Sequence, residues 1–249
     1  MLVKDDTVIK FKNVSKTYKL FKNQKDRLMS AFSVHPKYTE KQAINNVSFS
    51  IRKGESVAIF GRNGAGKSTI LKMVTGVSHP SEGKVRVNGR VSAMLELTAG
   101  FNGELTGREN IYFRGELLGI KKAEIKAAED AIIEFASLGE YIDQPVRMYS
   151  SGMKARLGFA VNINVKPEIL IVDEALSVGD ESFRNKCNAK VNELVSGGAT
   201  FLFVTHSAVS AKKFCKRGLV LRSGRVVFDG EINEVAAFYN AMLKENYKI

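Results

Sequence analysis

Residues Gly61–Thr69 form a glycine-rich segment whose residue types are suited to binding phosphate. The segment contains Gly61, Arg62, Asn63, Gly64, Ala65, Gly66, Lys67, Ser68 and Thr69, and its first eight residues match G-x-x-x-x-G-K-[ST]. Glycines let backbone N–H groups turn towards phosphate oxygens without Cβ clashes. A lysine at position 67 can neutralise the β- and γ-phosphates, and the Ser68 hydroxyl can ligate Mg²⁺. The segment therefore predicts a site for a nucleoside triphosphate and Mg²⁺.

Polar side chains that follow two other apolar segments complete a hydrolytic set. Asp173 and Glu174 come directly after Ile169–Val172, and His206 comes directly after Thr200–Thr205. At a strand end beside the phosphate loop, Asp173 can hold Mg²⁺ through water. Glu174 can polarise the attacking water as general base. We expect His206 to contact the γ-phosphate, although a lone histidine is more often an ordinary surface or core residue.

A second candidate anion site begins at Tyr149 and reads Tyr-Ser-Ser-Gly-Met-Lys. Ser150, Ser151 and Gly152 precede an apolar helical pattern, so their hydroxyls and N–H groups can form a cradle at a helix start. Taken alone, the same residues are only a helix N-cap. They lie about twenty residues before Asp173 in sequence.

The elements that must position these residues alternate between strand and helix patterns. The phosphate loop follows Ser56–Phe60 and precedes a helical segment, which is the strand–turn–helix context that such a loop requires. Continuously apolar strands alternating with helices predict an α/β fold with a buried parallel sheet. Further predicted elements are strands at 8–14 and 47–51, a hairpin over 83–91 with an Asn-Gly turn, helical patterns over 108–135 and 151–165, and a helical tail over 231–247.

Residues 19–42 form an irregular basic insert between the first two predicted strands. The insert carries six basic and two acidic residues, a net charge of +4. Phe21, Leu28, Met29 and Phe32 fall near helical spacing, which predicts a short amphipathic helix around residues 24–32.

Bulk composition limits the possible functions. With 249 residues, 44% of them hydrophobic, the chain can bury a substantial core. No run of about 18 apolar residues is present, so we expect no membrane span, and the first residues lack a signal-peptide core. The two cysteines lack metal-ligand spacing and are expected to be free thiols in a reducing cytoplasm. A net charge of +12 favours polyanions or an anionic membrane surface.

The ordered motifs resemble those of ATP-binding cassette (ABC) ATPases over residues 8 to about 230. Tyr149–Lys154 resembles the ABC signature motif, usually Leu-Ser-Gly-Gly-Gln, with Tyr149, Ser151 and Met153 as departures. Residues 177–180 resemble the family's D-loop. The resemblance implies one ABC ATPase domain over 1–249, a P-loop core with an antiparallel β subdomain, a helical subdomain at about 97–165 and a short C-terminal helix.

The same resemblance implies a mechanism. Two such domains pack head to tail, and each ATP lies between one P-loop and the partner's signature motif, so Ser150 and Gly152 would serve the other protomer's nucleotide. Tyr18 matches the aromatic residue that stacks on adenine, with an ordinary strand-end tyrosine and a competing Phe21 as alternatives. No glutamine occurs in residues 94–110, where importer cassettes carry one. Glu96 is the nearest polar substitute for that glutamine. Its carboxylate would either approach Mg²⁺ through water or have a purely structural role.

The segments 94–110, 144–153 and 173–180 and the insert resemble ATPases that export cell-surface polysaccharides, and most closely those that export teichoic acid. This implies an ATPase subunit that dimerises, binds an integral membrane permease at the cytoplasmic face of the cell membrane and acts on a lipid-linked polymer, with no nucleic acid. O-antigen or capsule export is the alternative, and a soluble ABC ATPase or an importer ATPase is disfavoured.

In the polysaccharide exporters that this chain resembles, the insert forms a helix at the cytoplasmic gate. Lys25 and Arg27 would then admit an anionic lipid headgroup, or merely solvate a docking helix.

Overall fold

The computed structural model describes residues 6–30, 38–94, 97–98, 100–173 and 179–245. Within these ranges, the side chains of residues 27–29 and 245 are not described. The predicted site residues Glu96 and Glu174 lie outside the described residues, as do Phe32 and part of the D-loop segment.

A six-stranded sheet forms the centre of the molecule. In spatial order its strands are β5 (Val91–Met94), β6 (Ile169–Asp173), β7 (Thr200–Thr205), β3 (Ser56–Phe60), β8 (Arg217–Arg222) and β9 (Arg225–Glu231). The first five are parallel, and β9 pairs antiparallel with β8 at one edge. Every residue of β3 and β7 is buried, as expected for strands covered on both faces. The predicted buried parallel sheet is confirmed.

A three-stranded antiparallel sheet packs beside the central sheet, in the order β2 (Thr39–Arg52), β1 (Thr7–Leu20) and β4 (Glu82–Val87). Its inner face contributes Ile9, Phe11 and Phe49 to a buried core shared with the P-loop strand and helix. Strands β1 and β2 are longer than predicted, because their pairing continues to Leu20 opposite Thr39. Both ends of the basic insert, predicted to be irregular, are therefore strand.

The predicted hairpin over residues 83–91 is wrong. Strand β4 pairs with β1, whereas β5 pairs with β6 in the other sheet. The backbone N–H of Asn88 still donates to Val8 in the antiparallel sheet, whereas the Arg90 carbonyl accepts from Ile169 beside the parallel one. Between them, Gly89 has a φ of 119°, a conformation that favours glycine. The Asn-Gly turn thus passes the chain between sheets, since each strand finds its partner elsewhere.

Eight helices complete the described part of the chain: α1 (Gln24–Met29), α2 (Lys67–Val74), α3 (Gly107–Leu117), α4 (Lys122–Ala136), α5 (Ser151–Asn164), α6 (Glu181–Ser196), α7 (Ala208–Phe214) and α8 (Ile232–Glu245). The helical pattern over 108–135 is two helices, because Gly119 has a φ of 72° and turns the chain between α3 and α4. Helix α3 starts with a capping box between Thr106 and Glu109. No described helix is long and apolar enough to cross a membrane.

Helices α3, α4 and α5 pack together as a group, and a charged network joins α3 to α4 and to the segment between α4 and α5. The Arg108 guanidinium on α3 donates to Asp143 through two nitrogens, at 2.7 and 3.2 Å, and to Glu129 on α4 at 2.8 Å. The Tyr112 hydroxyl also donates to Glu129. The Tyr112 hydrogen bond and Arg108 lower the pKa of Glu129, and Arg108 lowers that of Asp143. The ionised carboxylates therefore stabilise this helical group.

Candidate functional site

A cleft of about 830 Å³ opens at the carboxyl ends of strands β3, β6 and β7. It brings together most of the site residues predicted for the core, which come from segments far apart in sequence. Its lining includes Tyr18, Arg62, Asn63, Gly64, Gly66, Lys67, Ser68, Thr69, Asp173 and His206. Parallel strands place their carboxyl ends at one edge of a sheet, which is why these residues converge.

The loop between β3 and α2 has the geometry of an anion cradle. Gly66 is the N-cap of α2 with a φ of 110°, and no described side chain caps this helix. A Cβ at Gly66 would lie 2.7 Å from the Ala43 carbonyl oxygen, so a larger residue does not fit. The Lys67 ammonium donates to the carbonyls of Gly61 at 2.5 Å and Arg62 at 3.1 Å, which places its charge inside the curve of the loop. Helix dipole and ammonium both favour a phosphate here.

Asp173 and His206 enter the cleft from adjacent strands. Asp173 is the last residue of β6, and His206 follows the last residue of β7. Strand β7 lies between β6 and β3, so His206 is on the strand nearer to the phosphate loop. The Thr205 hydroxyl accepts from the Ser207 N–H at 2.9 Å and shapes the turn that carries the histidine.

Strand β1 carries Tyr18 to the cleft. Phe21 instead packs edge-on against Tyr38, 5.8 Å between centroids, and is not among the described residues that line the cleft. Lys16 lies 5.2 Å from the Tyr18 ring centroid and donates to the His79 carbonyl at 2.7 Å. Of the two candidate aromatic residues, Tyr18 is therefore the one that lines the cleft.

The sequence prediction missed several residues that line the cleft, among them Lys41 and Gln42. These two oppose Tyr18 and Thr17 across the β1–β2 pairing. An extended polar run directly before Val47 was the signal that could have placed them on a strand. The basic composition of the insert obscured it.

The donor set fits Mg²⁺ held together with a nucleotide. A hydroxyl at Ser68 and a carboxylate at Asp173 line the same cleft, and Mg²⁺ is usually bound by one or two protein oxygens plus substrate phosphates. No cluster of three or more His, Cys, Asp or Glu side chains suited to a metal occurs in the described residues. The site therefore suits a metal that arrives with a polyphosphate.

Ser150, Ser151 and Gly152 lie away from this cleft, at the start of α5. Ser150 is the N-cap, and its hydroxyl oxygen accepts from the Met153 N–H at 3.2 Å. Both serines are exposed, and none of the three residues is among the described residues lining the cleft. The start of α5 and the start of α2 are thus separate places in the structure.

Tyr149, which departs from the usual signature, has a structural contact of its own. Its ring is buried, with 5% exposed, and its hydroxyl donates to the Tyr141 carbonyl. Burial raises the pKa of this phenol to about 12. Its oxygen also lies 2.1 Å from where a Cβ at Gly107 would be. The tyrosine therefore links the start of α5 to the start of α3.

An ion pair not predicted from the sequence joins α5 to the segment before α6. The Arg156 guanidinium donates to Asp180 at 2.6 Å, and Asp180 also accepts from the Phe183 N–H at 2.9 Å as the N-cap of α6. Gly179 between them has a φ of 69°. Helix α5, which Ser150 caps, is thus connected at Asp180 to the segment that follows Asp173 in sequence. A basic residue one turn into α5 and an acidic N-cap were the available signals.

The chain is similar in sequence to known ATP-binding proteins. The family described as ABC transporter matches residues 44–177, just over half of the chain. A teichoic acids export ATP-binding protein of Bacillus cereus is 44% identical over 95% of this chain, and the chain spans 43% of that protein. An O-antigen export system ATP-binding protein of Klebsiella pneumoniae is also 44% identical, over 94% of this chain and 98% of that protein.

Solved structures share the fold. An ATP-binding subunit of an ABC transporter superposes with a TM-score of 0.75 at 24% identity, covering 94% of both chains. A dimeric ATP-binding cassette bound to ADP and Pi in a post-hydrolysis state has a TM-score of 0.70 at 22% identity, covering 90% of this chain and 98% of its own. The P-loop fold with an antiparallel sheet and a helical insertion is confirmed.

Proposed function

This chain belongs to the ABC transporter family, and we propose that it is the ATPase subunit of an exporter of a lipid-linked anionic cell-surface polymer. The observation that carries the proposal is the cleft where the phosphate loop, Tyr18, Asp173 and His206 meet, with a second anion site at Ser150 outside it. Teichoic acid is the polymer we propose. O-antigen or capsule export is the second candidate, supported by the equal identity to the Klebsiella pneumoniae protein.

The residues of the cleft divide the chemistry of ATP hydrolysis among them. Tyr18 stacks on adenine, and the loop N–H groups with Lys67 hold the phosphates. When bound at Ser68 and Asp173, Mg²⁺ neutralises charge that develops on the phosphates. Glu174 orients the attacking water as general base, and His206 contacts the γ-phosphate. Glu96 would hold the metal through water.

We propose that two copies close head to tail on two nucleotides. The support is that Ser150 and Ser151 are exposed at a helix start and lie outside their own protomer's cleft. A phosphate held by both α2 of one protomer and α5 of its partner satisfies both helix starts. The whole chain then acts as one ATPase domain, with residues of about 97–165 as the helical subdomain.

The basic insert supports attachment of the subunit to a permease at the cytoplasmic face of the membrane. Lys22 precedes α1, Lys25 lies on it, and both are exposed; Leu20, which also lines the cleft, is 49% exposed at the end of β1. Cations next to exposed apolar side chains suit a membrane partner or the headgroup zone.

Complementation in a Gram-positive strain depleted of its own teichoic acid export ATPase tests the proposal. The chain, expressed in that strain beside the strain's own permease, should restore polymer at the cell surface, and Lys67→Ala should not. Restoration in an O-antigen export mutant instead would support the second candidate. A chain that hydrolyses ATP but stays out of the membrane fraction when its permease is present would be a soluble ATPase, against both.

A further inference from the structure

We infer that Arg114, on α3, is a positioning residue that fixes the loop after β5 to the signature helix α5. It thereby sets where Ser150 stands relative to the phosphate loop of its own protomer. The inference rests on the proposed head-to-tail function and adds a residue to it that touches neither nucleotide.

Arg114 is a buried cation with two specific contacts in that loop. Its side chain is 7% exposed, its Nη1 donates to the Leu97 carbonyl at 2.5 Å, and its guanidinium carbon lies 4.9 Å from the Phe101 ring centroid. Burial lowers its pKa to about 10, so it remains charged at neutral pH. Burying a charge is costly, and an apolar side chain of similar volume would fill the space more cheaply. The hydrogen bond to the Leu97 carbonyl and the contact with the Phe101 ring account for an arginine at this position.

The third member of the contact is Gly158 on α5. A Cβ at Gly158 would lie 2.0 Å from the Leu97 carbonyl oxygen and 3.2 Å from Arg114 Nη1. The carbonyl of Leu97 therefore lies directly against the α5 backbone, and the Arg114 nitrogen that donates to it lies beside the same glycine. Any displacement of Leu97 must move α5 or break this contact, because the packed atoms leave no free space.

On one side of this contact the chain leads back to the nucleotide cleft. Leu97 follows β5 by three residues, and Met94, the last residue of β5, pairs with Val172 in β6. Val172 directly precedes Asp173, which lines the cleft. A shift at the end of β6 thus reaches Leu97 through paired strands and a short stretch of chain.

On the other side the contact leads to the signature motif. Ser150 caps α5 eight residues before Gly158, a distance of about 12 Å along a helix axis. A helix of this length moves as a rigid element, so the position of Leu97 sets the position of Ser150. The result is one continuous series of contacts from the cleft to the surface that we propose faces the partner's ATP.

The experiment compares ATP-driven dimerisation with ATP binding by the single protomer, in a Glu174→Gln background where bound ATP is expected to persist. Arg114→Met keeps volume but removes the donor, and Gly158→Ala displaces Leu97 without changing the arginine. Both should leave the Kd for a fluorescent ATP analogue within about twofold and raise the ATP concentration needed for dimerisation about tenfold or more. Arg114→Lys, which keeps a donor, should recover part of this loss.

Gly115→Ala is the matched control, since its Cβ would lie 2.5 Å from Ile125 at the α3–α4 contact and away from Leu97. It should lower the melting temperature yet preserve ATP-driven dimerisation. Normal dimerisation of Arg114→Met, or of Gly158→Ala if the methionine variant does not fold, would overturn the inference. Equal loss in Gly115→Ala would overturn it too, because any packing defect would then suffice. If the reference protein does not dimerise with ATP, the proposed function fails, and the role of Arg114 fails with it.

Discussion

At the residue scale, the proposed roles separate the side chains that bind phosphate from the one that acts on water. Lys67 lies within the loop it serves, and Asp173 and His206 enter from the sheet edge. The proposed general base, Glu174, follows Asp173 directly in sequence. Binding and turnover should therefore respond to different substitutions.

Glu174→Gln should bind ATP normally and lose about 100-fold or more in kcat, because the carboxylate that orients water is gone while the phosphate contacts remain. Lys67→Ala should instead raise the Kd for ATP, since it removes a charge from the phosphate loop. Measured kcat and Kd values for the two variants check this. Wild-type hydrolysis by Glu174→Gln would show that another group is the base.

At the scale of elements, the α3–α5 group depends on charge as well as on apolar packing. Arg108 bridges Asp143 and Glu129, and Tyr112 donates to the same glutamate. Both carboxylates have a lowered pKa in the folded protein. Their contribution to stability is therefore present above their ordinary pKa values of 4.5 and 3.8 and is lost as the pH falls through the lowered values.

Arg108→Met should lower the melting temperature at pH 7 by about 2–4 °C, because it leaves Glu129 without its cation. The difference from wild type should shrink as the pH falls below about 4.5, where the unfolded carboxylates begin to protonate. Thermal unfolding across this pH range measures it. Lys190→Met, which removes an exposed pair with Glu193 on α6, is the control and should change little at any pH. A difference that stays constant with pH would indicate that Arg108 acts through packing alone.

At the scale of the whole molecule, the starts of α2 and α5 are both suited to binding anions but lie in different places on one chain. Helix α2 opens into the cleft, and α5 starts at the exposed Ser150. Connections between them run through Arg114 at Leu97 and through Arg156 at Asp180. In a head-to-tail dimer, each nucleotide would meet the start of α2 from one protomer and the start of α5 from the other.

Ser150→Arg should leave ATP binding by the single protomer within about twofold and prevent the ATP-closed dimer, because a bulky side chain enters the proposed interface. Nucleotide titration followed by analytical ultracentrifugation checks both parts. Undiminished ATP-dependent dimerisation would argue against the head-to-tail arrangement.

Reversing the charge at Lys25 and Arg27 together should abolish polymer export while sparing basal ATP hydrolysis, because neither residue is among the described residues that line the cleft. Surface polymer and ATPase rate are measured in the same strain. Lys212→Glu with Lys213→Glu on α7 gives a matched change of charge elsewhere. Export that survives the reversal at 25 and 27 would leave the insert with a docking role only.

The sequence by itself determined the chemistry of the site and the class of the fold. A phosphate loop, an acidic pair after an apolar strand and a helix start at Ser150 are local patterns. Each depends on neighbouring residues and on backbone geometry that short-range sterics fix. Such features can be predicted because no distant partner is needed to form them.

Only the tertiary structure decided which segments pair and what they hold in place. The Asn-Gly turn at Gly89 joins two sheets because β4 finds β1 and β5 finds β6, partners that its local sequence does not specify. Lys41 reaches the cleft through a long strand pairing, and Arg114 reaches the Leu97 carbonyl only when α3 packs on α5. These contacts depend on the competition among non-local strand and helix partners, which is settled by burial of the whole core.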